Sequence, residues 1–394
     1  MIPQFRTIAL AVFITGGLLS GTLGLRNLSY LVDIAPAAAP ASATPPPLVP
    51  AAAKTPIPVV LPVTAPATSQ PQPTSRPVAA ATATPQATQA SASWLYVIDG
   101  NMWMTGAPAP IQLTSDSGIG QPALSDDGLV FVKRTKNASD VWFASGDGPP
   151  RSITKDAVAS VSQNHWATQP VSVPGKDRMY VLADFNKSST GNGDLAIWEL
   201  GFGAQAPIQI TRPPEYAGGD QDIAVDPQDP RHIVFTRYNY AGAQLEEQLQ
   251  WLDVPTANIV PLTDADHATR QASYSPDAKE IAFVEGGPAV QENLYVADIQ
   301  VDNGHPQLGD PRQVATGMIA NPVWTADGNS LGYLALTDSG FQLFMVDVNR
   351  DADGDETYGE PRQLTNGPSL DATSRPVYLT PDQVDAVRQW MAPQ

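Results

Sequence analysis

Three observations in the sequence predict an all-β fold. A short phrase returns six times at a period of roughly 50 residues, each period holds four strand-like runs, and the first and last periods are incomplete in complementary ways. Together they predict a six-bladed β-propeller closed by a C-terminal strand that joins the N-terminal blade. A lone four-stranded unit leaves its apolar faces wet until neighbours stack on it.

The elements follow in order. The domain opens at Trp94 with the last three strands of a blade, of which NMWMTG from Asn101 is one. Full copies of the phrase start at Gln121 (QPALSDDGLVFVKR), Gln169 (QPVSVPGKDRMYVL), Gln271 (QASYSPDAKEIAFV) and Asn321 (NPVWTADGNSLGYL), and these align without gaps. The copy at Gln221 takes one inserted residue, and the sixth, at Arg375, keeps only its first half. After each copy comes a run with aromatic and branched residues at period two, the pattern of a half-buried strand, as in DVWFASG, DLAIWEL, QLQWLDV, NLYVADI and QLFMVDV. Each unit then ends on a short strand closing at Thr114, Thr154, Thr211, Thr263, Ala315 or Thr365. Joining Arg375–Thr380 to Trp94–Thr114 completes the sixth blade. Beyond it, Thr380 followed by Pro381 predicts a helix start, with Val384, Val387 and Met391 spaced to rest on the ring.

The Ser-Pro-Asp-Gly turn, the Ile-Ala-Phe run and the Leu-Thr ending resemble the WD40-like repeats of TolB-like propellers, which are related to the propellers of prolyl oligopeptidase relatives. The resemblance covers Trp94 to about Met391. It implies the six-bladed fold and leaves function open, because such repeats carry many activities. The α/β domain that precedes the propeller in TolB is replaced here by an apolar segment and a linker, which argues against a Tol role.

Residues 1–34 read as a membrane anchor. Thr7–Leu25 is 19 residues without a charge between Arg6 and Arg26, and a helix rising about 1.5 Å per residue just spans a hydrocarbon core of about 30 Å at that length. The apolar run exceeds that of a usual signal peptide and the Ala41-Ser42-Ala43 cleavage candidate lies far downstream, so an uncleaved anchor is favoured, with secretion as the outcome if it is cut. The basic amino end holds the short tail inside and exports the propeller, placing it on the extracytoplasmic side of the cell membrane. Residues 35–92 contain 14 prolines and no glycine. This composition buries no core and favours an extended stalk or disordered tether. Residues 93–394 form the propeller with its short helix.

The full chain carries a net charge of −18 and no cysteine. A strongly acidic exported domain excludes nucleic acid as a partner, since that recognition depends on clustered Lys and Arg, and it suits cations or a basic extracytoplasmic protein or glycan. The absence of cysteine excludes disulfides. A monomer is expected.

The sharpest chemical pattern is NRDADGDETYGE, Asn349 to Glu360. It resembles a twelve-residue calcium loop, with Asn349, Asp351, Asp353, Asp355, Thr357 and Glu360 as ligands and Gly354 at the chain reversal. A hard cation takes six to eight oxygens, and alternate residues of a tight loop turn their side chains inward. The flanks are strands, as in the calcium loops of integrin-type blades. The equivalent stretch one blade earlier, QVDNGHPQLGDPRQV, lacks the acidic ladder.

Propeller topology assigns loops to sides. The first hairpin and the third-to-fourth hairpin, with the calcium loop, share one side. The inter-blade connections and the second-to-third loops share the other, gathering His165, Trp166, Tyr216, Asp220, Tyr238, Tyr240, His267 and Arg270 into a candidate binding face. No nucleophile elbow, phosphate loop or HExxH is present, and Ser152–Lys155 spells Ser-x-x-Lys only where other blades end in Leu-Thr or Ile-Thr. The sequence therefore predicts a tethered binding or scaffolding module stiffened by calcium. The alternative is a polysaccharide lyase or hydrolase using acids and histidine at the inter-blade mouth.

Overall fold

The computed structural model describes residues 92–391 except 107, 147, 188–192, 204, 215, 216, 242, 243, 287–290 and 352–355. The proposed anchor (residues 7–25), the linker to residue 91, Tyr216, Asp353 and Asp355 lie outside the described residues. Among those described, no helix is long and apolar enough to cross a membrane.

The described strands form six sheets. The first contains β1 (Ser93–Ile98), β2 (Asn101–Met104) and β3 (Ile111–Gln112). The second runs through β4 (Ile119–Ser125), β5 (Gly128–Arg134), β6 (Ser139–Ala144) and β7 (Arg151–Ser152), and the third through β8 (Ala167–Ser172), β9 (Arg178–Ala183), β10 (Ala196–Gly201) and β11 (Ile208–Gln209). The fourth comprises β12 (Gly219–Val225), β13 (His232–Ala241), β14 (Gln244–Asp253) and β15 (Asn258–Pro261). In the fifth, β16 (Thr269–Tyr274), β17 (Glu280–Gly286) and β18 (Glu292–Asp302) are joined by β19 (His305–Leu308) and β20 (Arg312–Ala315). The sixth repeats that plan with β21 (Ile319–Trp324), β22 (Ser330–Thr337), β23 (Gly340–Arg350), β24 (Glu356–Tyr358) and β25 (Arg362–Gln363). Two sheets thus hold five strands instead of the four expected, because β18 and β23 run on past their sheets into projecting hairpins.

The ring closes as the sequence predicts. β26 (Val377–Leu379) pairs antiparallel with β1, Ser93 opposite Leu379 and Leu95 opposite Val377. The first strands β4, β8, β12, β16, β21 and β26 adjoin one another in turn around the axis. After β26 comes α1 (Pro381–Trp390), whose Gln383 side chain accepts the Thr380 N–H at 2.9 Å, and its Val384 and Val387 pack beneath the first two sheets with Leu95, Met104 and Phe131. Between the sixth and first sheets Trp94 packs with Leu334 and Leu343. Its ring lies so close to Gly332 that an added Cβ would stand 2.3 Å away, which accounts for glycine where other copies carry a larger residue.

The recurring phrase has a local physical reason at each point. In the turns, Asp277 and Asp327 each accept a side-chain hydroxyl, from Ser275 at 2.8 Å and Thr325 at 2.7 Å, and a backbone N–H two residues on. At the end of the unit, the hydroxyls of Thr114, Thr154, Thr211, Thr263 and Thr365 accept the N–H of Met102, Val141, Ile197, Leu249 and Leu343 at 2.9 to 3.2 Å. The threonine so replaces a ladder carbonyl and stops the fourth strand.

The opening residue of the phrase builds a belt. Gln121, Gln169, Asp222, Gln271 and Asn321 all sit at a bulge with φ between 46° and 58°, a left-handed conformation that costs an ordinary residue roughly 1–2 kcal/mol. The bulge turns each N–H toward a neighbouring sheet. Gln121 Oε1 accepts the Gln169 N–H at 2.9 Å, Gln169 Oε1 the Asp222 N–H at 2.7 Å, Thr236 Oγ1 the Gln271 N–H at 3.2 Å, and Gln271 Oε1 the Asn321 N–H at 2.9 Å. Asn321 Nδ2 then donates to the Ala372 carbonyl, and Ser374 Oγ accepts the Gln121 N–H at 3.0 Å, which brings the belt back to its start.

Two alignments change. The bulge of the fourth sheet falls on Asp222 rather than Gln221. The copy at Gln121 is not gap-free either: Ala123 pairs with Val130, whereas the equivalent pair Ser273 and Ala282 is two residues further apart. Its first hairpin closes on a tighter turn.

Candidate functional site

The strand directions place every described member of the predicted binding face on the inter-blade side of the ring. Tyr238 and Tyr240, expected in a loop, instead stand on β13, which with β14 projects as a long hairpin pairing Tyr238 with Glu247 and Tyr240 with Leu245. Next to this hairpin, Arg270 enters from the start of β16. Its guanidinium contacts Glu247 at 2.5 Å and also pairs with Glu292 at the head of β18. Burial works against the Arg270 charge, but the two carboxylates outweigh it and hold the group above its ordinary value. Burial and the nearby Asp222 and Glu247 raise the Tyr238 hydroxyl well above the usual phenol range, so it stays a neutral donor.

One strand inward, Arg237 grips Asp220 through two bonds of 2.7 and 3.0 Å. Asp220 is fully buried; burial raises its carboxyl while Arg237 pulls it back. His267 stands apart and exposed, with Nδ1 2.9 Å from Glu285, whose hydrogen bond raises the imidazole above its usual value.

His165 and Trp166 belong to a second group, between the second and third sheets. His165 Nδ1 lies 3.0 Å from the Asp184 carbonyl and 3.4 Å from its carboxylate, which also accepts the Trp166 N–H at 2.7 Å and pairs with Lys187 at 3.0 Å. Asp156 faces the same place. Its backbone N–H goes to Asp140 at 2.6 Å, yet its Oδ2 is buried without a hydrogen-bond partner, and burial lifts its carboxyl to about 6. The sequence singled out neither Asp156 nor Asp184. For Asp156 the signal was the length of the connection from Thr154 to Ala167, which exceeds the corresponding ones in other blades; Asp184, directly after β9, carried no such signal. The structure thus sorts the predicted face into a Tyr238–Arg270 centre and a His165–Trp166 flank.

On the opposite side, the candidate calcium hairpin is described only at its base. Asn349 and Thr357 are direct cross-strand partners, both exposed, and Glu360 is exposed beyond β24. The intervening pair, Arg350 and Glu356, is docked on the fifth sheet. Arg350 contacts Glu280 and Glu356 at 2.7 Å each, and Arg312 contacts Glu280 at 2.6 Å, Glu356 at 3.1 Å and Asp298 at 2.9 Å. Burial, with Glu356 close by, pushes Glu280 up to about 7. Among the described residues no cluster of three metal-ligating side chains occurs. Ser152, of the Ser-x-x-Lys match, donates its hydroxyl to the Thr154 carbonyl, a strand-end contact.

No family model and no curated protein matches the chain by sequence. Solved structures do match. TolB from Acinetobacter baumannii aligns with a TM-score of 0.50 at 16% identity, over 74% of this chain and 67% of that one, and a putative TolB from Agrobacterium tumefaciens with 0.51 at 12% identity, over 72% and 92%. The propeller is TolB-like. An oligogalacturonate lyase in complex with manganese aligns at 0.44 and 12% identity, over 65% of this chain and 69% of that one, a level of likeness that carries no functional argument. At these identities the TolB likeness speaks for the fold alone, and the activity of this TolB-like propeller has to be argued from its own side chains.

Proposed function

We propose that this chain is a membrane-tethered, extracytoplasmic binding module whose inter-blade face docks a partner with a basic surface, with residues 7–25 as the tether. The reading is carried by the Tyr238–Arg270 centre. There the cation is already neutralised by two carboxylates and an aromatic hairpin stands beside it, a preorganised platform that loses little freedom on docking. The net charge of −18 supports a basic partner. Recovery of a partner on the full chain tests this: Tyr238→Ala lowers recovery at least about tenfold, as expected for an interface aromatic, while Lys279→Ala on the turn side leaves it unchanged. Equal recovery by the two variants contradicts the reading.

One observation favours a second reading, a lyase or hydrolase of a polysaccharide. Asp156, lifted to about 6 and facing His165 and Asp184, has the character of a general acid or base. Turnover of a polyuronide or neutral glycan by the wild type and not by Asp156→Asn would support it.

Calcium at Asn349–Glu360 belongs to the same proposal. It is supported by the ligand spacing and by the exposed cross-strand pair Asn349 and Thr357 at the loop base. Millimolar calcium is expected to raise the melting temperature of the wild type and not of Asp353→Asn. No shift in the wild type removes the ion from the account.

A further inference from the structure

The belt around the axis is built from neutral amides at Gln121, Gln169, Gln271 and Asn321, whose polar atoms bridge adjacent sheets. Two equivalent positions carry charge instead. Asp222, buried, accepts from the Thr236 hydroxyl at 3.1 Å and the Gln169 amide at 3.4 Å. Arg375, on the closing segment, reaches across the ring and donates to the Ala272 carbonyl at 3.0 Å. A guanidinium offers five N–H donors. The Ala272 bond uses one of them, and among the described residues no carboxylate comes within ion-pair distance of Arg375. Asp222 is near enough to be felt, being the charge that offsets the burial of Arg375, but it does not close on it.

Both residues stand near the start of the first strands, which is the inter-blade end of the axis. Asp222 lies within electrostatic reach of Tyr238, Arg270 and Arg375. A half-buried guanidinium with donors left over is costly unless an anion meets it, and the planar fork matches a carboxylate. We propose that Arg375 is an anion-recognition group that takes a carboxylate entering from the inter-blade mouth. This rests on the reading of that face as the binding surface and adds the chemistry its ligand must present. Burial raises the Asp222 carboxyl and Arg375 pulls it back; in its ionised form it opposes any second negative charge, so the site selects a single carboxylate over phosphate or a dicarboxylate.

Such a carboxylate has two sources, a small organic acid or the C-terminus of a polypeptide, and one set of titrations on the full chain separates them. Acetate, succinate, inorganic phosphate, and a short peptide as free acid and as C-terminal amide are compared by calorimetry at constant ionic strength. Acetate and the free-acid peptide are expected to bind while phosphate, succinate and the amide do not; a peptide acid much tighter than acetate identifies a chain terminus. Arg375→Gln is expected to weaken binding about tenfold or more, the loss of a charge-assisted pair. Arg375→Lys restores part of it, and Asp222→Asn tightens it, which keeps the test decisive should Arg375→Gln fold poorly. Carboxylate binding that is the same in wild type, Arg375→Gln and Asp222→Asn overturns the proposal, as does no binding by the wild type. Tyr238→Ala separates the two readings: partner recovery lost while acetate still binds through Arg375 upholds both, whereas recovery that depends on Tyr238 without any carboxylate binding sinks only the Arg375 site.

Discussion

Asp156 owes its character to its surroundings. The same side chain in water loses its proton near 3.8, and burial beside Asp140 and Asp184 lifts this to about 6. The folded protein therefore prefers the protonated form. The stability this group contributes is full below the unfolded value and is lost as pH rises through about 6. Asp156→Asn keeps the neutral shape at every pH, so it is expected to melt higher than the wild type at pH 7, with the gap narrowing by pH 5 and closing only below the unfolded value of 3.8. A gap that does not change with pH contradicts this. Little of this chemistry was legible in the sequence, because a raised carboxyl depends first on how deeply the fold buries it and then on which other acids it brings near, here across two sheets. Tyr238, Tyr240 and Arg270 were legible, since topology alone puts them on one side. Their partners Glu247 and Glu292 were not singled out, although Glu292 opens β18 after a second-to-third loop and Glu247 pairs with Tyr238 across the β13–β14 hairpin. Arg375 left a trace too, as the charged residue in a column otherwise filled by Gln and Asn, whereas Asp222 left none because its copy reads from Gln221 in the sequence.

At the scale of the element, the recurring phrase encodes three devices: an acidic turn, a bulge, and a threonine stop. The turns and the threonines were visible as a repeated string. The bulge was not, because a string does not show that its first residue has positive φ, and the copy in the fourth sheet was accordingly placed one residue early, on Gln221 instead of Asp222. The consequence of the bulge is measurable. Gln169→Ala removes the acceptor from the buried Asp222 N–H and is expected to cost about 1–3 kcal/mol, the penalty of an orphaned buried donor. The check is a lowered denaturation midpoint with an unchanged slope. A midpoint equal to that of the wild type means that the side-chain bridge does not hold the sheets.

For the whole molecule, the ring was readable because its ends were incomplete in matching ways. Three strands opened the domain and one closed it, and β26 does pair with β1. The projecting β18–β19 and β23–β24 hairpins were less legible, since their strands continue the pattern of the sheet they leave. Closure also positions the function proposed here, because Ser374 completes the belt through the Gln121 N–H and Arg375 reaches the axis only from the closing segment. The most direct test is thermal unfolding of the full chain beside one ending at Ser369. Without β26 and α1 the first sheet loses its inner strand and the belt its last link, so the shortened chain is expected to melt at a lower temperature over a broader transition. A shortened chain that unfolds as sharply and at the same temperature as the full one would contradict the closed ring and, with it, the placement of Arg375 beneath the inter-blade face.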